Sequence, residues 1–159
     1  MIIKTKNFTL RAIRKGDEKS LIKNINDKSI YRYTCSIPYP YTKKHAREFI
    51  NSVKKKRKDE IHLSIDVDGK IVGGIGLIKI KKHRAEIGYW LGKNYWNKGI
   101  ISEAIRLVSD FGFSKLKLRR IQSLVFPKKQ GIFQSFRKKW LQTGRCAKKV
   151  CSERRQSIG

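Results

Sequence analysis

At 159 residues and 18.6 kDa the chain fits one domain with a single substantial core. Apolar residues at 39% and aromatics at 10% exclude an intrinsically disordered chain, and no apolar run approaches the ~20 residues of a membrane span. The formal charge of +27 is uneven: residues 1–127 carry 29 Lys/Arg against 11 Asp/Glu, whereas 128–159 carry 10 against Glu153 alone.

The first strand falls in "FTLRAIR" (8–14), where Phe8, Leu10 and Ala12 alternate with polar residues. "KGDEKSLIKNIND" (15–27) follows with Leu21, Ile22 and Ile25 at helical spacing, and "IPYPY" (37–41) is a proline-punctuated, tyrosine-rich loop. Thr42 is a suitable N-cap for a second helix, with Ala46, Phe49, Ile50 and Val53 on one face. Three strand patterns come next. "IHLSIDV" (61–67) and "KIVGGIGLIKI" (70–80) flank an Asp68-Gly69 hairpin turn, and "RAEIGYWLG" (84–92) follows. In this third strand Ala85, Ile87, Tyr89 and Leu91 share one side, and Glu86, Gly88 and Trp90 the other. Helical periodicity returns over 100–116, and "LRRIQSLVF" (118–126) is a last strand. The expected order is β-α-α-β-β-β-α-β, an α/β (α+β) fold built on a mixed sheet with an antiparallel meander and a late crossover.

Cys35, Cys146 and Cys151 form no disulfide framework and lack metal-ligand spacing, and His45, His62 and His83 are scattered, so free thiols and no metal are expected. Without a leader-like h-region after Met1, the expected compartment is the cytoplasm. The positive charge favours solubility and loose attraction to nucleic acid. No helix-turn-helix, zinc finger or RNA-binding sheet motif accompanies it, so nucleic acid is not expected as a specific partner.

The stretch suited to chemistry is "YWNKGIISEAI" (95–105), a strand–loop–helix junction with Gly99 just before the helix. The first N–H groups of a helix are unpaired and its macrodipole makes that end positive. A glycine there lets backbone approach an anion, and Lys98 adds charge, so the junction suits a pyrophosphate.

The chain resembles the GNAT acetyltransferases, in particular the branch that includes ribosomal-protein alanine N-acetyltransferases. The matching stretches are "LRAIRKGD" (10–17), "GKIVGGIGL" (69–77), "AEIGYWLGKNYWNKGIISEA" (85–104) and "LRRIQSLVFP" (118–127). The resemblance implies the GNAT acyl-CoA N-acyltransferase fold and acetyl transfer from acetyl-CoA to an amine, with a protein N-terminus as the acceptor. It also implies a Q/R-x-x-G-x-G/A loop on the pyrophosphate, matched by Trp96 to Ile101. Asn97, Lys98, Gly99, Ile100, Ile101 and Ser102 would hold the cofactor phosphates, and the backbone of Tyr89, Trp90 and Leu91 the pantetheine arm. Two departures stand out: Trp96 replaces the basic first residue, and Ile101 fills the small last position. Glu86 is implied as the catalytic base, with His83 a weaker candidate. The alternative for Glu86 is a surface carboxylate paired with Arg84 or a lysine. Tyr33 and Tyr39, with Tyr31 and Tyr41, would lie near the acceptor groove or else cover the core.

After "VFP" the family continues with a pattern like N-x-A-S-x-x-x-L-E-K-x-G-F-x-x-E-G, absent from "KKQGIFQSFRKKWLQTGRCAKKV". Read one base out of step from the Lys129 codon, the same stretch permits N-K-A-S, then L-E-K-N-G-F-K-L-E-G-V-L. In that frame Trp140 followed by Leu141 forces a glycine. An acetyltransferase core over 1–127 is therefore expected, lacking its usual last helix and strands. Residues 128–159 are then an aberrant, out-of-frame basic tail of low order. Two other readings follow: a catalytically impaired product, or a basic ribosome- or nucleic-acid-binding protein using that tail.

Overall fold

In the computed structural model, residues 2–34, 36–55, 57–125 and 146–150 are described. Among these residues seven strands form one sheet whose spatial order follows the chain: β1 (Ile3–Lys4), β2 (Thr9–Arg11), β3 (Ile61–Val67), β4 (Lys70–Lys81), β5 (Arg84–Leu91), β6 (Arg120–Val125) and β7 (Cys146–Val150). β1 to β5 are antiparallel neighbours, whereas β6 is parallel to β5 and β7 to β6. Parallel neighbours need a crossover, and α4 (Ile100–Ser114) supplies it between β5 and β6.

Strand alternation divides the core between the two faces of the sheet. On one face α4 lays Ile100, Ala104, Ile105 and Val108 against Leu77, Ala85, Ile87, Leu91 and Ile121. On the other, α1 (Glu18–Ile25), α2 (Lys28–Arg32) and α3 (Lys43–Lys54) bury Leu21, Ile25, Ile30, Ala46 and Ile50 with Ile71, and Trp90 packs against them. Thr42 caps α3 as its position suggests, accepting from the His45 N–H, and His45 Nδ1 accepts from the Thr42 N–H in return.

A polar knot fastens the first strand to this frame. Arg11 donates to both carboxylate oxygens of Asp17 at 2.8 and 2.9 Å and to Asp66 at 2.5 Å, all three side chains being buried. Burial alone would raise the Asp17 carboxyl, but the Arg11 hydrogen bonds, the Arg14 N–H and the Arg11 charge bring it below its ordinary range.

The expected strands and long helices are present, with three additions. β1 is two residues long and α2 is five, too short for a periodic signal; Asp27 opens α2 by accepting from the Ser29 N–H at 2.6 Å. The third corrects the expectation that the sheet ends at β6: Cys146–Val150 pairs alongside it, covering an edge whose N–H and C=O groups would otherwise lack partners. Otherwise the expectation of an aberrant tail over 128–159 lies outside the described residues.

Candidate active site

β5 and β6 run in register from Arg84↔Arg120 to Ile87↔Ser123, and there the pairing stops although both strands continue. Beyond that point Gly88, Tyr89, Trp90 and Leu91 have no β6 partner in the ladder, and the two strands part. A cavity of about 1100 Å³ occupies the gap. Its lining comes from both faces of the sheet: Glu86, Gly88 and Trp90 from the α1–α3 face, Tyr89, Ser123, Ile100 and Ile101 from the α4 face. A Cβ built on Gly88 would meet nothing within 4 Å among the described residues, so this glycine leaves open floor there. Gly74 does the opposite, since a Cβ there would come within 2.5 Å of the Trp90 indole nitrogen; its absence lets that ring lie across β4.

At the end of β5 the chain makes a short 3-10 turn (Lys93–Tyr95) and enters α4 through Gly99 at φ 73°, a left-handed conformation that favours glycine. Among the described residues no side chain caps this helix, and its first i→i−4 bond runs from the Glu103 N–H to the Gly99 carbonyl. The N–H groups of Ile100, Ile101 and Ser102 precede that bond, and all three residues line the cavity. Asn97, itself at φ 60°, and Lys98 stand beside them, with Lys98 Nζ 5.4 Å from the centre of the Tyr95 ring. One end of the cavity is thus an anion cradle of backbone donors, helix dipole and one lysine.

Midway along, Glu86 is 6% exposed and lines the cavity, so it is not a surface carboxylate. Its Oε1 accepts from Gln122 Nε2 at 3.2 Å and its Oε2 lies 2.9 Å from Lys79 Nζ. A lysine partner was one alternative for this residue, but the cation comes from a bulge: pairing shifts between Ile78 and Lys81, with Lys79 at φ 51°. His83, the other candidate base, is an exposed turn residue whose carbonyl accepts from the Arg119 and Arg120 N–H groups; it does not reach the cavity. Burial pushes the Tyr89 phenol up, with Ser123 beside it acting in the opposite direction.

The far end of the cavity is framed by α1–α3 and the loop after α2. Tyr33 and Tyr41 line it, and burial, then Glu48, pushes the Tyr41 phenol up to about 12. Tyr39 does not line it: its ring packs 5.9 Å from that of Tyr31. Phe49 and His62 close this end, their rings edge to face at 5.8 Å. Of the residues expected from sequence, then, Glu86, Tyr33, Tyr89, Trp90, Leu91 and 97–102 share one cavity and Tyr39 stands apart. The Leu91 carbonyl, expected to face the pantetheine arm, already accepts from Trp96 Nε1 at 2.7 Å. Trp96 thereby ties the cradle loop to the end of β5.

A family model described as an acetyltransferase (GNAT) domain matches residues 7–138. The chain belongs to the GNAT acetyltransferases. It is 30% identical over 129 residues to the uncharacterized N-acetyltransferase p20 of Bacillus licheniformis, covering 77% of this chain and 72% of that protein. It is 24% identical over 131 residues to the spermidine N(1)-acetyltransferase of Escherichia coli K12, covering 81% and 69%. Among solved structures, a GNAT acetyltransferase from Bacillus anthracis superposes with TM-score 0.73 at 25% identity, covering 87% of this chain and 81% of that one. RimL, a ribosomal L7/L12 α-N-protein acetyltransferase in complex with coenzyme A, shares the fold with TM-score 0.77 at 18% identity, covering 87% and 82%.

GNAT acetyltransferases use acetyl-CoA, and the cavity of this GNAT chain fits it on its own terms. The uncapped α4 N-terminus suits the pyrophosphate, the unpaired stretch of β5 suits an extended arm, and Gly88 leaves room where the strands part.

The sequence reading missed Ser123, Lys79, Phe49 and His62 as lining or bordering groups. Ser123 carried one signal: a hydroxyl on the same side of β6 as Ile121, the apolar face.

Proposed function

We propose that this acetyltransferase acetylates a primary amine at a protein N-terminus, with acetyl-CoA as donor. The observation that carries the reading is one cavity threading the gap between β5 and β6, with an anion cradle at one end and Glu86 midway. Acetyl-CoA supplies the acetyl group as a thioester. The α4 N–H groups and Lys98 hold the phosphates, and the Tyr89–Trp90 backbone orients the arm. Glu86 faces the acceptor side, where a carboxylate can take a proton from the acceptor ammonium, directly or through water, so that the neutral amine attacks the thioester; the C–S bond then breaks and CoA leaves as a thiolate that picks up a proton. Gln122 and Lys79 fix its orientation.

An N-terminal peptide suits the acceptor end because the aromatic side chains of Tyr33, Tyr41 and Phe49 line it. The solved neighbour that acts on a ribosomal protein supports the same reading. The relative that acts on spermidine makes the polyamine the natural competitor. Acetyl transfer to an N-terminal peptide and to spermidine, compared as kcat/KM, tests it. A higher value for the peptide is expected; a higher value for spermidine contradicts the assignment.

A further inference from the structure

The charge of the cavity lining runs opposite to that of the chain. The chain carries +27, yet among the described lining residues the one Lys or Arg is Lys98, at the anion cradle. The lining carboxylates are Glu86, midway, and Glu48, at the acceptor end. Glu86 is engaged by Lys79 and Gln122, whereas the Glu48 carboxylate takes part in no ion pair or hydrogen bond among the described residues. Glu48 stands on the exposed side of α3, close enough to the Tyr41 phenol to push it up further than burial alone does. Tyr41 is 6% exposed and lines the same end, and its hydroxyl has no hydrogen-bond partner among the described residues either. A polar group so buried carries a desolvation cost unless a ligand or water satisfies it. The histidines at this end are already engaged: His45 Nδ1 accepts from the Thr42 N–H, and His62 Nε2 lies 3.1 Å from Glu60 Oε2. A carboxylate and a phenol oxygen, set among the rings of Tyr33, Tyr41 and Phe49, fit a cation bearing N–H donors.

We propose that Glu48, with the Tyr41 hydroxyl, is the specificity determinant of the acceptor end, binding a cationic side chain that follows closely behind the acetylated N-terminus. This rests on the N-terminal-peptide reading above and narrows it to peptides with a basic head. Such a preference runs against the field of the whole chain, since a charge of +27 repels cationic peptides and attracts acidic ones at long range. A preference for basic peptides therefore reports the local carboxylate and not the net charge.

The test uses the full chain and three peptides that share an N-terminal alanine and differ in the next two residues: Arg-Arg, Ala-Ala and Glu-Glu. Arginine serves as the cation because it offers no second primary amine. In a CoA-release assay the Arg-Arg peptide is expected to exceed the Glu-Glu peptide ~10-fold in kcat/KM, mostly through KM. Glu48→Gln is expected to remove most of that ratio by raising KM for the Arg-Arg peptide. Glu48→Asp should keep part of the ratio, and Glu48→Lys should invert it. Glu48 is exposed on α3, so these variants are expected to keep the Tm of the unsubstituted chain. A Glu-Glu peptide that does as well as the Arg-Arg peptide overturns the proposal while leaving the N-terminal-peptide reading in place. A Glu48→Gln variant that loses the same factor on all three peptides also overturns it, marking a structural role. Spermidine, run in parallel, separates the two claims: if it outperforms every peptide, the N-terminal-peptide reading fails and this inference falls with it.

Discussion

Lys79 Nζ lies 2.9 Å from Oε2 of the buried Glu86, and it gets there from an exposed strand end only because β4 is irregular between Ile78 and Lys81. The left-handed Lys79 breaks the alternation of β4, so Ile80 still packs with the α4-side core while the ammonium meets Glu86. A carboxylate so held is oriented at the middle of the cavity. Glu86→Gln preserves the shape and the Gln122 contact but cannot take a proton. Its kcat is expected to fall ~10²-fold or more, with acetyl-CoA affinity within about twofold of the unsubstituted chain, in steady-state kinetics and calorimetry. Equal loss of both would make Glu86 structural.

Gly99 holds a left-handed conformation at the mouth of α4, and the N–H groups just beyond it face the cavity. Gly99→Val places a β-branched residue where L side chains are strained, at a cost of ~1–2 kcal/mol. The same change crowds the cradle. A lower Tm and a larger loss of CoA affinity are expected together, read by thermal unfolding with and without ligand.

Trp96 opens the cradle loop, and its indole donates to the Leu91 carbonyl at 2.7 Å. Trp96→Phe keeps the ring volume nearby and deletes the donor. A stability loss of ~1 kcal/mol is expected in denaturant unfolding, with weaker CoA binding as the cradle loop loosens from β5.

The Arg11–Asp17–Asp66 knot sets a pH dependence of stability. The Asp17 carboxyl sits below its ordinary range in the folded chain, so the folded state binds its proton less readily than the unfolded one does. Its contribution is therefore complete above the unfolded carboxylate range, near pH ~4, and is lost as pH falls through the lower folded value. Asp17→Asn leaves Arg11 paired with Asp66 alone and is expected to cost ~1.5–3 kcal/mol at neutral pH. The variant should also lose part of the acid-side decline in Tm expected for the unsubstituted chain.

Much of this architecture was legible because its signals are local. α4 and β5 declare themselves by period, and the Gly99 junction by a glycine set between them. Thr42 announced a cap that forms. What was not legible depends on contacts far apart in the chain. Ser123 lines the cavity because two strands stop pairing, and Lys79 matters because a bulge redirects it; neither event has a spacing rule. Tyr33 and Tyr39 are chemically alike in sequence, and only the packing of Tyr39 on Tyr31 separates them. β1 and α2 are shorter than any periodic window, and the two lysines in "CAKKV" hide β7.

The out-of-frame reading of residues 128–159 makes a prediction at the level of the gene. Removing one base from the A-rich Lys128–Lys129 codons should restore the family's N-x-A-S and G-F pattern. The restored product is expected to turn over faster than the present chain in a CoA-release assay. Equal rates, or a gene without the extra base relative to its close relatives, contradict that reading.

The central claim is acetyl transfer through the gap between β5 and β6. Its most direct measurement is mass spectrometry of an N-terminal peptide incubated with the full chain and acetyl-CoA, beside a Glu86→Gln control. The account predicts an acetylated peptide with the full chain and far less with the variant. No acetylated product, together with no binding of acetyl-CoA in calorimetry, would contradict it.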